Sequence, residues 1–184
     1  MASRNTQSLA SAILTLELMR QIGGDDTVAL LQGRPLPTKL RRDKAFQPCV
    51  AEPGDETYAN GIFEFNITRL LACAQEHTDR FPVIRVELRE LPDYGNGLHL
   101  NEVAILAADL SRPIVLAEIS PGNFNVVDGN HRLARARRQG ATALPAYRVQ
   151  CPMHVPFLTS VFAHEKYVEY WNSKVSDLRG DRRG

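Results

Sequence analysis

The residues with the clearest chemistry are consecutive: Asp128-Gly129-Asn130-His131-Arg132. A mostly apolar segment, Phe124-Asn125-Val126-Val127, precedes them, and Leu133-Ala134 follows. This order reads as a buried strand that passes through a glycine directly into a helix. The first turn of a helix has N–H groups without intrahelical partners and a partial positive charge. Anions bind there readily. Gly129 leaves no Cβ in the way of a phosphate approaching the backbone. Arg132 can grip phosphate oxygens through its fork of donors, and Asn130 and His131 add polar groups to the same turn. Asp128 suits either of two roles, a cap for the following helix or a ligand for magnesium beside the phosphates. Asp-Gly is also a common turn, so the pattern alone leaves a purely structural role open.

Further along the same helix, His131, Arg135 and Arg138 follow i, i+4, i+7 and share a face, and Arg137 adds charge beside them. This basic stripe can be a solvated helix face or a guide for a nucleic-acid backbone. Phosphate chemistry also needs a general base or a metal carboxylate nearby. Glu90, Asp93 and Glu118 stand at strand ends, and His99 lies in the following loop. Glu64, between Phe63 and Phe65, reads as a polar residue on an edge strand. His154 and His164 lack the His-Glu-x-x-His spacing of a zinc site, and His164-Glu165 reads as part of a solvated helix face. Tyr167, Tyr170 and Trp171 can stack on bases, but their spacing suits core packing or a partner surface equally well.

The elements that would hold these residues follow from periodicity. An amphipathic helix is expected over Gln7 to Ile22, stopped by Gly23-Gly24, with a short helix around Asp26 to Leu31. Gln32 to Asn60 is rich in Gly, Pro and charge and reads as a long connection. This places a helical extension with its loop at residues 1–60 and the main domain at 61–184. Within that domain the spacing predicts a short strand at Ile62 to Phe65 and a helix at Ile67 to His77. A strand at Pro82 to Leu91 precedes a helix at Asn101 to Leu110, with Val103, Leu106 and Ala107 inward. Ile114 to Ile119 reads as a strand buried on both faces. Then come the strand Phe124 to Val127, the helix from Asn130 to about Gln139, a strand at Leu144 to Val149, and a long helix or broken pair from about His154 to Leu178. The fold class is α+β, with a mixed sheet and flanking helices.

Composition supports a globular chain. Of 184 residues, 43% are hydrophobic and 23% charged, which is enough for a sizeable core. The net charge of +1 makes no global demand for nucleic acid. No apolar run reaches a membrane span, and the N-terminal stretch lacks the features of a signal peptide, so a cytoplasmic protein without membrane insertion is expected. Cys49, Cys73 and Cys151 are three in number and widely spaced, which suits neither a disulfide framework nor a zinc knuckle.

The run Asp128-Gly129-Asn130-His131-Arg132-Leu133-Ala134, then Gly140 and Leu144-Pro145-Ala146-Tyr147, resembles the ParB/sulfiredoxin superfamily. The upstream strand ending near Leu91 and Arg112-Pro113-Ile114-Val115 fit it as well. The resemblance covers roughly residues 82 to 150. It implies a ParB/sulfiredoxin-like core that binds a nucleotide at Asp128, Gly129, Asn130, His131 and Arg132, with magnesium at Asp128. By the same resemblance His131 and Arg132 would act in catalysis, and Glu90 would supply the functional acid. Activities in the superfamily diverge: CTP-switched DNA clamps, sulfinic-acid repair, free-serine kinases, and the ATPases and DNases that include fertility-inhibition proteins of conjugative plasmids. No helix-turn-helix module follows residue 150, and Asn130 replaces the attacking cysteine of sulfiredoxins. The implied function is therefore an ATPase with DNase activity, in which Arg135, Arg137 and Arg138 guide DNA. A kinase of a small hydroxyl compound, or a nucleotide-sensing module acting through a protein partner, are the alternatives.

Overall fold

The computed structural model describes residues 37–61, 63–91 and 100–179. Among these residues there are six strands: β1 (Thr57–Asn60), β2 (Phe63–Asn66), β3 (Val83–Glu87), β4 (Ile114–Ser120), β5 (Asn123–Asp128) and β6 (Ala143–Val149). The helices are α1 (Ile67–Glu76), α2 (Glu102–Ala107), α3 (Asn130–Arg138) and α4 (Val161–Arg179). β1 and β2 form an antiparallel hairpin, and the other strands form one sheet in the order β3-β6-β4-β5. β4 runs parallel to β6, while the β3–β6 and β4–β5 pairs are antiparallel. The fold is α+β, as the residue pattern indicates.

β4 organises the layers. Its side chains alternate between two cores: Ile114 and Leu116 face one, and Val115, Ala117 and Ile119 face the other. β6 divides in the same way, with Leu144 and Ala146 on the first side and Tyr147 and Val149 on the second. The first side is covered by Leu133 and Ala136 of α3. The second is covered by α1, α4 and the β1–β2 hairpin, through Leu70, Tyr167, Trp171, Phe63 and Phe65. Two-sided burial of this kind needs apolar residues at successive positions, which is why β4 reads as a continuous apolar run.

Several expectations are revised. Thr57–Asn60 is a strand although it reads as connection: it is short and mostly polar, so no apolar alternation marks it. Val103 and Leu106 are 75% and 70% exposed rather than inward, and Ile105 is the buried residue of α2. The reason is local. Asn101 caps α2 by accepting from Val103 N and Ala104 N, and Glu102 is tied to Arg138 of α3, which turns Ile105 inward. Of the long helix or broken pair expected from about His154, the first part is a 3-10 turn at Val155–Phe157 and the α-helix begins at Val161. His164 is buried instead of facing solvent. Residues 37–47 are bound to α4, where Trp171 Nε1 donates to Thr38 O and Asn172 brackets Leu40 through both its N–H and C=O. The expected boundary near residue 60 therefore does not detach this segment from the domain. The helices expected at Gln7–Ile22 and Asp26–Leu31, and the residues Asp93 and His99, lie outside the described residues. Among the described residues, no helix is long and apolar enough to cross a membrane.

Of the aromatic residues of α4, Tyr167 and Trp171 are core, Tyr170 packs half-buried against them, and Phe162 is exposed. Tyr167 is fully buried, its hydroxyl donating to Glu118 O at 3.0 Å and lying 2.9 Å from His154 Nε2. With the hydroxyl proton given to the carbonyl, its oxygen accepts from His154 Nε2–H, so the imidazole is the neutral Nε2-protonated tautomer. Burial pushes the His154 pKa down to about 4. Burial likewise raises the Tyr167 hydroxyl and pushes the Cys151 thiol up to about 12, which leaves that cysteine unreactive at neutral pH. An unfolded chain takes up this imidazole proton near pH 6.5, before the folded chain does. The contribution of His154 to stability is therefore complete above about pH 6.5, lost as pH falls through that value, and exhausted below about pH 4. The loss over this window is about 3 kcal/mol. Urea unfolding at pH 7 and pH 4 should show it, with a smaller loss in His154→Gln.

Candidate functional site

β5 ends at Asp128, paired with Val115 at the start of β4, and α3 begins two residues later. Only Gly129 separates them, with φ at +92° in the left-handed region. A side chain here would be strained by the backbone. It would also be blocked, since a Cβ on residue 129 would stand 2.6 Å from Ile114 Cγ2 and 2.9 Å from an Arg132 Nη. The glycine is thus required by packing as well as by conformation. That space holds Ile114 and Arg132, so the fold itself demands the glycine that the sequence reading assigned to phosphate approach.

Asp128 does not cap the helix. Gly129 is the N-cap and makes no side-chain cap bond, so the first-turn N–H groups of α3 point out of the helix end with no capping side chain. Asp128 Oδ2 instead accepts from Arg132 Nη2 at 2.7 Å, and the same guanidinium reaches Pro113 O at 3.2 Å. Arg132 thereby ties the end of β5 to the start of β4. Its side chain is 15% exposed and that of Asp128 18%. Two polar atoms at this turn are shut from solvent with no hydrogen-bond partner, Arg132 Nε and Asn130 Oδ1. His131 Nε2 faces Asn101 N at 3.4 Å, which puts the ring proton on Nδ1.

The basic stripe is spent inside the protein. Arg135 donates to Ala108 O at 2.7 Å and Arg137 to Leu91 O at 3.2 Å. Arg138 pairs with both carboxylate oxygens of Glu102, at 2.6 and 2.8 Å. These contacts hold α2 and the chain after β3 against α3. The expected nucleic-acid guide is therefore not a free row of cations. Arg138 and its hydrogen bonds hold the Glu102 carboxyl below the usual carboxylate range.

Glu90 does not close a strand either. It ends a 3-10 turn, Leu88–Glu90, and is exposed. The Arg137–Leu91 contact puts this turn beside the last turn of α3. Asn130 and Arg137 lie about 10 Å apart along a helix that rises 1.5 Å per residue. The structure thus brings Asp128, Gly129, Asn130, His131 and Arg132 together and leaves Glu90 at the other end of α3. Glu118 is equally removed from the turn by function: its carboxylate accepts from the backbone N–H of Gly122 and Cys151. Glu64 is exposed and accepts from Thr57 and Thr159 hydroxyls, as suits an edge strand. Among the described residues, no group of three or more His, Cys, Asp or Glu is placed to hold a metal ion.

Pro113, Ile114 and Asn101 belong to this turn and were not found by sequence reading. Each meets it across at least fifteen positions of chain, as with Ile114 and Gly129, and no short-range spacing rule marks such a pair. No family model matches the chain, and no curated protein or solved structure matches it.

Gly129→Ala should destabilise the fold by about 2 kcal/mol or more, from the positive φ and the clash with Ile114. Urea denaturation of the variant beside wild type measures this directly.

Proposed function

We propose that the chain is a nucleotide-binding phosphohydrolase of ParB/sulfiredoxin type, acting on ATP with magnesium at the β5–α3 turn. One observation carries the reading. An uncapped helix N-terminus stands beside two enclosed polar atoms, Arg132 Nε and Asn130 Oδ1, that find no partner in the protein. Enclosed polar groups are nearly always bonded, and those that are not mark a place where something else bonds.

The nucleotide phosphates would lie against the first-turn N–H groups of α3. Arg132 Nε would donate to a phosphate oxygen while its Nη2 stays on Asp128. Asn130 Oδ1 would accept from a ribose hydroxyl or a metal-bound water. His131 Nδ1–H would donate to the phosphoryl oxygens as charge shifts toward the leaving diphosphate. Asp128 offers the one carboxylate of the turn, and its Oδ1 is the atom that would face magnesium. One or two carboxylates with substrate phosphates suffice for that ion. The ion would neutralise charge on the phosphate oxygens. The reaction is water attack on the terminal phosphorus with cleavage of its bond to the bridging oxygen, releasing nucleoside diphosphate and inorganic phosphate. Glu90 has no part in it, and the α3 arginines, bonded within the protein, do not extend the reading to DNA.

The test is phosphate release from ATP and CTP with magnesium, with and without DNA. Wild type should turn over, and Arg132→Ala should lose turnover with some loss of stability, because Arg132 also ties β5 to β4. Asn130→Ala separates the two effects. Asn130 Oδ1 supports nothing in the fold, so stability should hold while turnover falls about tenfold or more, in line with the loss of one hydrogen bond to a ligand. Absence of turnover and of nucleotide binding in wild type would overturn the proposal, as would full activity in Asn130→Ala and Arg132→Ala together.

A further inference from the structure

A second recess lies on the other side of the sheet from α3. Residues 37–47 run along α4, and between them, the turn after β6 and α4 is a cavity of about 440 Å3. Pockets for small ligands start near this size. Leu40, Phe46, Val155, Pro156 and Val168 give it apolar walls.

His164 stands in that wall. It is only 3% exposed, its ring stacks on Phe46 at 4.2 Å and 8°, and its Nδ1 is closed to solvent with no partner. The imidazole makes no hydrogen bond to any described residue, although an enclosed ring nitrogen normally has one. Burial, the largest influence, lowers its pKa against the opposing pull of Asp43 and Glu165 and alongside the charge of Arg42. The ring is thus neutral and keeps one nitrogen as an acceptor.

The rim supplies two opposite charges. Arg41 and Asp43 both border the cavity, while Arg42 between them is taken by Glu165. Arg41 is exposed and makes no ion pair among the described residues. Asp43 accepts from Ala45 N through Oδ1, which leaves its other oxygen for a cation.

We infer that this cavity binds a free aromatic amino acid. The carboxylate meets Arg41, the ammonium meets Asp43, the ring enters between Phe46 and Val168, and a ring N–H or O–H donates to His164. A zwitterionic head matches a rim of paired opposite charges, and an apolar body with one donor matches the interior. The site is separate from the β5–α3 turn, so it stands or falls independently of nucleotide hydrolysis.

The probe is L-tryptophan, titrated calorimetrically into the full chain. One-to-one saturable binding is expected, weakened about tenfold or more in Arg41→Gln and in Asp43→Asn, where the loss of one charged contact is read. Both residues are exposed, so neither change threatens the fold. His164→Phe keeps a ring against Phe46, and it should weaken L-tryptophan but leave L-phenylalanine, which has no ring donor, unchanged. Absence of saturable binding at millimolar L-tryptophan would overturn the inference. So would equal binding of indole without the amino-acid head, or affinities unchanged in the two rim variants.

Discussion

β4 is the constraint on which the rest of the structure depends. It is hydrogen-bonded on both edges, to β5 and β6, and apolar on both faces, with Ile114, Val115, Leu116 and Ala117 all essentially closed to solvent. Each such side chain taken from water contributes about 1.5–3 kcal/mol for the larger aliphatics, so neither face can be left open. One cover is the group of α1, α4 and the hairpin. The other is α3, which must start where β5 stops. A single residue makes that corner, and it must turn left-handed with Ile114 pressed against it. Gly129 and the exposed helix start beside it are consequences of covering β4, and whatever chemistry the turn performs rests on a structural necessity.

The central part of the fold was legible in the residues because burial on both faces leaves an unmistakable apolar run, and because glycines mark the corners at 129 and 140. The candidate turn was legible for the same reason: its residues are consecutive, so one helix start collects them. What escaped was long-range. Nothing near Arg135 or Arg137 announces that their donors end on Ala108 and Leu91 carbonyls. A row of arginines on a helix has the same spacing whether it faces water or seals a joint. Val103 and Leu106 misled in the opposite sense, since a six-residue helix fixed by its cap and by Glu102 buries one side chain rather than a stripe. β1 was missed because its ladder to β2 is made of backbone bonds under mostly polar residues, and a sequence carries no record of backbone pairing.

The polar groups inside the protein divide into those that are satisfied and those that are not. Glu118 accepts from two backbone N–H groups, and Tyr167 bridges a carbonyl and His154; these close the seams where irregular chain meets the sheet. A half-buried carboxylate bonded this way acts as a fastening, which removes Glu118 from the list of catalytic acids. Arg132 belongs to both groups. One end of its guanidinium fastens β5 to β4, and the other is left over.

The bond between residues 37–47 and α4 sets the order in which the molecule can be completed. Thr38 and Trp171 are 133 positions apart, and Pro37 and Arg179 are 142. Contacts that distant close large loops, so their entropy cost falls late in folding, after local hairpins and helices have formed. During synthesis the first of these partners waits for the last. Until α4 has emerged, the sheet face that holds Val115 and Val149 is covered only by α1 and the hairpin, and the growing chain carries an apolar surface that a chaperone or a neighbouring chain can reach.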